Sequence, residues 1–176
     1  EGSKAWFEAV AGAYGIDSER TQQMLEMPYQ RAKRAVSAHC SKLEGKRIHF
    51  LPDSQLEIPM ARFLSEECGL SINEIGTPFH DQLVMRGELA RLPKDVPMVE
   101  GQDLDPALAR VRASRPDLTV CGMGIANALE SEGLRTKWSI ELVFSPVQGF
   151  DQAGDLAGLF AKPLAREEIL EIGSWS

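Results

Sequence analysis

Cys121 is the thiol with the most chemical promise, because it closes a short apolar β-prone run, Leu118 to Cys121, at the turn Gly122-Met123-Gly124. A thiol at the carboxyl end of a buried strand sits where parallel α/β sheets bind ligands. No basic residue adjoins it in sequence to lower its pKa, however, and a free cysteine is also a common buried hydrophobe. With Cys40 and Cys68 it makes a set of three, odd in number, widely spaced and without a C-x-x-C pair. That pattern argues against a disulfide framework or a self-contained zinc site and fits a reducing compartment. His39, His49 and His80 fall on separate elements with no ligand spacing between them. His49, inside a strand beside Phe50, reads as a packed histidine, and His80 as a turn residue after Pro78. Asp53, Asp81, Glu100 and Asp103 lie in loops after strands, where a carboxylate could act as acid or base. Acids at helix starts are also expected for capping alone.

Two further patterns bear on ligands. Gly122-Met123-Gly124 opens like a dinucleotide-binding turn, but the third glycine of G-x-G-x-x-G would fall where Asn127 stands, and such a turn belongs after the first strand of its fold. Tight strand-to-helix packing explains it as well. There is no G-x-x-x-x-G-K-[ST], which excludes a Walker-type ATPase. The run Thr136 to Phe144 reads as a second strand, with Thr136, Trp138, Ile140, Leu142 and Phe144 on one face and Lys137, Ser139 and Glu141 on the other. Its aromatic face suits core packing or the wall of a flat apolar ligand cavity.

The elements that must position these residues follow a repeating texture. Trp6, Phe7, Val10 and Tyr14 recur at helical spacing before Gly15. A second helix, capped by Asp17 or Ser18 and interrupted at Pro28, runs to about Leu43. From Gly45 on, strands alternate with helices. Strands at Arg47–Leu51, Ser71–Ile75, Met98–Val99 and Leu118–Cys121 alternate with helices at Leu56–Cys68, from Thr77-Pro78 to about Leu92, at Asp103–Ala113, from Asn127 or Ser131, and after Asp151 or Asp155. That alternation predicts an α/β fold, a Rossmann-like three-layer parallel sheet over 45–176, preceded by a helical segment over 1–44 that packs on it. Its ligand crevice would lie in the loops beginning at Pro52, Gly76, Glu100 and Gly122.

Composition narrows the function classes. The 176 residues, 43% of them apolar, suffice for one sizeable core. A net charge of −7 and a pI near 5.0 argue against a nucleic-acid surface, and the basic run Arg31 to Arg34 reads as a solvated helix face. No apolar stretch approaches the ~20 residues of a membrane span, so a soluble protein without a membrane span is expected. The chain opens on Glu1, which suggests a piece of something longer.

From Gly45 to Leu164 the sequence resembles the carboxyl-terminal part of the N subunit of light-independent (dark-operative) protochlorophyllide reductases, a nitrogenase-like family. The resemblance is carried by FLPDSQLEIPMARFLS, EIGTPF, LARLP, EGQDLD, RPDLTVCGMGIANALE and, above all, TKWSIELVFSPVQGFDQAGDLAGLFAKPL. Ala128 departs from it, since the family tends to have proline there. The resemblance implies an ATP-dependent, ferredoxin-linked oxidoreductase that reduces one double bond of ring D of protochlorophyllide in chlorophyll or bacteriochlorophyll biosynthesis. It implies an N2B2 heterotetramer with a B subunit, a transient iron–sulfur ATPase, the L protein, and a bacterial cytoplasmic or plastid stromal setting. It further implies a four-iron four-sulfur cluster and ATP in the whole complex, with neither bound by this chain alone, because the family's three cluster cysteines lie in the amino-terminal part of N and have no counterpart here. No metal ligand and no catalytic residue is assigned.

In the nitrogenase relatives, the loop before the G-[FY]-D turn carries a histidine that ligates the metal cofactor. Counting back from Pro146 and Gly149-Phe150-Asp151 places that position near Ser139. A serine hydroxyl is no substitute for imidazole on a soft metal, which fits a cavity for a tetrapyrrole instead. Trp138, Ser139, Ile140, Leu142, Val143 and Phe144 are therefore the candidate substrate-binding wall. Glu141 is expected to point away from it, leaving the proton donor to the partner subunit or the substrate. The other readings are a stand-alone small-ligand binding module, a scaffold domain, or a part of the related chlorophyllide reductase.

Overall fold

The computed structural model describes residues 1–171, with side chains to residue 165; the last five residues of the expected 45–176 unit lie outside the described residues. Five strands form one all-parallel sheet: β1 (Arg47–Phe50), β2 (Ser71–Thr77), β3 (Met98–Glu100), β4 (Leu118–Cys121) and β5 (Thr136–Trp138), in the order β3-β2-β1-β4-β5. The helices are α1 (Gly2–Ala13), α2 (Ser18–Leu43), α3 (Glu57–Cys68), the short α4 (Arg86–Leu89), α5 (Leu104–Ser114), α6 (Met123–Ser131), α7 (Ile140–Phe144) and α8 (Ala153–Glu171).

Period-two alternation divides the strands between two cores. Ile48, Phe50, Ile75, Leu118 and Val120 join residues of α2, α3 and α8 on one face. Leu51 and Cys121 join Ala107 and Val111 of α5 and Ala126 and Leu129 of α6 on the other. The chain therefore winds outward from β1 with its helices on one face and from β4 with its helices on the other. The switch point lies between those two strands, the place where sheets of this topology bind ligands at the strand carboxyl ends.

Asp17 caps α2, its carboxylate accepting the Arg20 amide at 2.9 Å. Pro28 does not interrupt α2 as the sequence predicts. It removes the amide that would bond the Met24 carbonyl, and Met24 is exposed, so water can serve that carbonyl while the rest of the helix is held by its packing on α3 and α8. The contact with α8 is close: a Cβ on Gly154 would lie 2.6 Å from the Cβ of Ala35.

The run Thr136 to Phe144 is not one strand. β5 ends at Trp138, Ser139 turns the backbone into αR conformation, and Ile140–Phe144 forms α7. Isoleucine and valine there fit a strand equally well, so the local pattern could not separate the two. The tertiary contact that decides is a pair of bonds at Ser139, described below. Similarly, α6 starts directly after Gly122, not at Asn127 or Ser131, and the helix before Leu92 shrinks to α4.

Candidate functional site at the carboxyl ends of β1, β4 and β5

After β1 the chain turns through Pro52-Asp53-Ser54. Glu57, buried in the first turn of α3, reaches back to organise that turn: its carboxylate accepts the amides of Asp53 and Ser54 at 3.0 and 2.6 Å and the Ser54 hydroxyl at 3.2 Å. Its second oxygen accepts the Thr77 hydroxyl at 3.3 Å, tying the end of β1 to the end of β2. The Ser54-x-x-Glu57 spacing is that of a capping box, a signal legible in the sequence and missed there, though here only its carboxylate-to-amide half forms and α3 starts at Glu57.

Asp53, so held, is exposed at the carboxyl end of β1. Beside it, Ser139 is buried, its amide donating to the Cys121 carbonyl at 3.0 Å and its hydroxyl donating to the Asp53 carboxylate. The same hydroxyl lies 3.2 Å from the Cys121 carbonyl oxygen. Gly122 completes the arrangement, because a Cβ there would stand 2.9 Å from Asp53 Oδ1. Three strand ends thus fix one carboxylate, through residues far apart in sequence that no local pattern joins.

The six wall candidates separate around this point. Ser139 and Leu142 are buried, Leu142 in the core shared with α2 and α8. Trp138 is half-buried against the α5–α6 core. Ile140, Val143 and Phe144 are exposed, Phe144 at 82%. The single face expected of a strand is thereby replaced by an outward helical face of Ile140, Val143 and Phe144 beside the Asp53–Ser139 pair. Met123 after β4 and Phe79, Leu83 and Val84 after β2 are exposed as well, so the apolar residues left uncovered include several that follow strand ends. Glu141 does not lie on an opposite strand face; it is on α7 and takes an ion pair from the buried Lys137. Beside them a cavity of about 560 Å³ runs along the open edge of β5, lined by Glu130, Arg135, Thr136, Lys137, Trp138 and Lys162 among others.

The remaining titratable residues serve packing and turns. Asp81 accepts the amides of Leu83 and Val84, which hold its carboxyl below the usual carboxylate range. His80 lies 3.3 Å from Glu100 at the ends of β2 and β3. His49 is fully buried, and burial lowers its pKa to about 4. The cysteines do not fit an iron–sulfur cluster. Cys40 of α2 and Cys68 at the end of α3 pack in one core, and Cys121 lies in the core on the opposite face of the sheet. Burial pushes the thiols of Cys68 and Cys121 up to about 12, the reverse of what a thiolate ligand needs. Among the described residues no group of His, Cys, Asp and Glu is placed to hold a metal ion, and no helix is long and apolar enough to cross a membrane.

Comparison with known proteins is decisive at the family level. The family model for nitrogenase component 1 type oxidoreductases matches residues 1–164. The chain belongs to that family. Its similar relatives include proteins named light-independent protochlorophyllide reductase subunit N from Halorhodospira halophila, 56% identical over 98% of this chain, and from Acidiphilium rubrum and Synechococcus sp., each 55% identical over 98%. The chain spans 41% of the length of each. Among solved structures, one described as nitrogenase Cp1 at pH 6.5 superposes with a TM-score of 0.73 at 14% identity, over 94% of this chain and 38% of that one. A second, at pH 5, gives 0.64 at 12% identity. These place the doubly wound sheet within the nitrogenase-like fold, and the subunit N relatives agree with the resemblance carried by TKWSIELVFSPVQGFDQAGDLAGLFAKPL.

Proposed function

We propose that this chain is the carboxyl-terminal part of the N subunit of a light-independent protochlorophyllide reductase, an oxidoreductase complex that reduces the ring D double bond of protochlorophyllide. The observation that carries the reading is the identity of 55–56% to proteins named as that subunit, sustained over 98% of the chain. On this reading residues 45–176 are the last domain of the subunit and 1–44 a helical segment docked on it. The partners are a B subunit in an N2B2 assembly and a transient iron–sulfur ATPase, in the bacterial cytoplasm or the plastid stroma. A four-iron four-sulfur cluster and ATP belong to the complex and are held elsewhere, since Cys40 and Cys68 lie together on one face of the sheet, Cys121 lies on the other, and burial raises the Cys68 and Cys121 thiols.

Within this chain the carboxyl-end crevice supplies part of the tetrapyrrole pocket. Ile140, Val143 and Phe144 offer apolar area to a planar macrocycle, Trp138 flanks them, and Ser139 and Leu142 hold α7 from beneath. A chelating metal site is not what Ser139 provides, because its hydroxyl is committed to Asp53. The test is Phe144→Ala in the complete enzyme. Truncating an exposed ring leaves folding, subunit assembly and cluster content unchanged, while loss of roughly 1.5–3 kcal/mol of apolar contact raises the dissociation constant for protochlorophyllide about 10- to 100-fold. Unchanged affinity in an intact complex refutes the pocket assignment.

A further inference from the structure

The face of the sheet beneath α5 and α6 carries a row of polar side chains that the crevice does not use. Glu74 of β2, His49 of β1, Thr119 of β4 and Thr136 of β5 are successive partners in register. All four are buried, His49 and Thr119 completely. The two ends of the row are tied. Arg110 of α5 donates to both Glu74 oxygens at 2.7 and 3.0 Å, and the Thr136 hydroxyl donates to Glu130 of α6.

The middle is not tied. The Asn73 side-chain amide meets His49 Nδ1 at 2.9 Å and also donates to Ser114 Oγ at 3.1 Å, whose own proton goes to the Arg110 carbonyl at 2.8 Å. An NH2 group can only donate, so Nδ1 accepts and the ring proton sits on Nε2. Nε2 then faces Glu74 Oε1 at 3.5 Å, beyond a good N–H···O bond. Among the described residues neither His49 Nε2 nor Thr119 Oγ1 has a hydrogen-bond partner. A donor and a hydroxyl, buried on paired neighbouring strands roughly 4.8 Å apart, would each carry an uncompensated desolvation cost.

We propose that one structural water molecule is bound between His49 and Thr119, accepting from Nε2–H, bonding Thr119 Oγ1 and donating to the Glu74 carboxylate, so that it clamps β1 to β4 at the switch between the two halves of the sheet. Three polar partners are what a buried water typically has. The site is independent of any reading of the crevice.

Thr119→Val in the full chain tests it, because valine keeps the shape and removes the hydroxyl. A hydroxyl bonded to a bridging water makes this variant less stable, with a fall in thermal midpoint of about 2–4 °C. A hydroxyl buried without a partner makes it neutral or more stable, and that result overturns the proposal. In a His49→Phe background, which removes the ring donor, the cost of Thr119→Val disappears if the water is shared; an undiminished cost overturns the bridge. A high-resolution crystal structure supplies the second measurement. Ordered density within hydrogen-bond distance of both atoms is expected, and space without it rejects the site.

Discussion

Single residues show how much of this fold rests on polar groups in buried places. Glu57 is an acidic side chain in a buried place, yet it accepts from two amides and two hydroxyls at once, which makes it the keystone of the β1–α3 turn. Glu57→Ala should cost about 2–3 kcal/mol, measured by denaturant unfolding, because it leaves the Asp53 and Ser54 amides without their acceptor. His49 makes a prediction in pH. Its pKa is about 4 in the folded chain against 6.5 unfolded. The unfolded state therefore binds the extra proton between those values, and stability present above pH 6.5 is lost as pH falls toward 4, to a total on the order of 3 kcal/mol. Below pH 4 this contribution is exhausted. His49→Gln should flatten the pH dependence of the thermal midpoint in that window, and an unchanged slope would show that other groups cause it.

At the scale of elements, the closest contact is between α2 and α8, where Gly154 lets the two helices approach through Ala35. Gly154→Ala gains about 1 kcal/mol of helix propensity. It also places a methyl 2.6 Å from the Ala35 methyl and 3.3 Å from its backbone carbon. Overpacking of about 1–3 kcal/mol wins, and a lower unfolding midpoint is expected. The strand–helix alternation from Gly45 onward was legible because each of β1 to β4 stops at glycine, proline or an acid and each longer helix shows an apolar stripe. That alternation also located the crevice at the strand ends. The β5–α7 boundary was not legible. Trp-Ser-Ile-Glu-Leu-Val-Phe alternates well enough for a strand, and what turns it into a helix is Ser139 bonding to Cys121 and Asp53, partners contributed by other strands. The stretch proposed as the site was legible in the sequence, but its Asp53–Ser139 pair was invisible, because it closes across 86 residues.

For the molecule as a whole, the three thiols are distributed over the two cores of the sheet. A cluster ligand must be a thiolate converging with others on one point. Here Cys68 and Cys121 lie on opposite faces of the sheet, each in an apolar core, with burial holding both thiols near 12. Cys40 is also raised by burial, and its sulfur is turned to the carbonyls of Val36 and Glu67 at 3.5 Å. By burial and packing these are core residues, and on the proposed reading electron transfer belongs to other parts of the assembly. Cys121→Ala in the complete enzyme should therefore keep its full iron and acid-labile sulfide per subunit, while losing about 1 kcal/mol of stability to the vacated volume beneath α6. Cys68→Ala should behave the same way under α2. Iron and sulfide assays on anaerobically purified complex decide the matter. Loss of cluster from a variant that still assembles would reassign that thiol to the redox centre, and retention in both would confine these cysteines to packing.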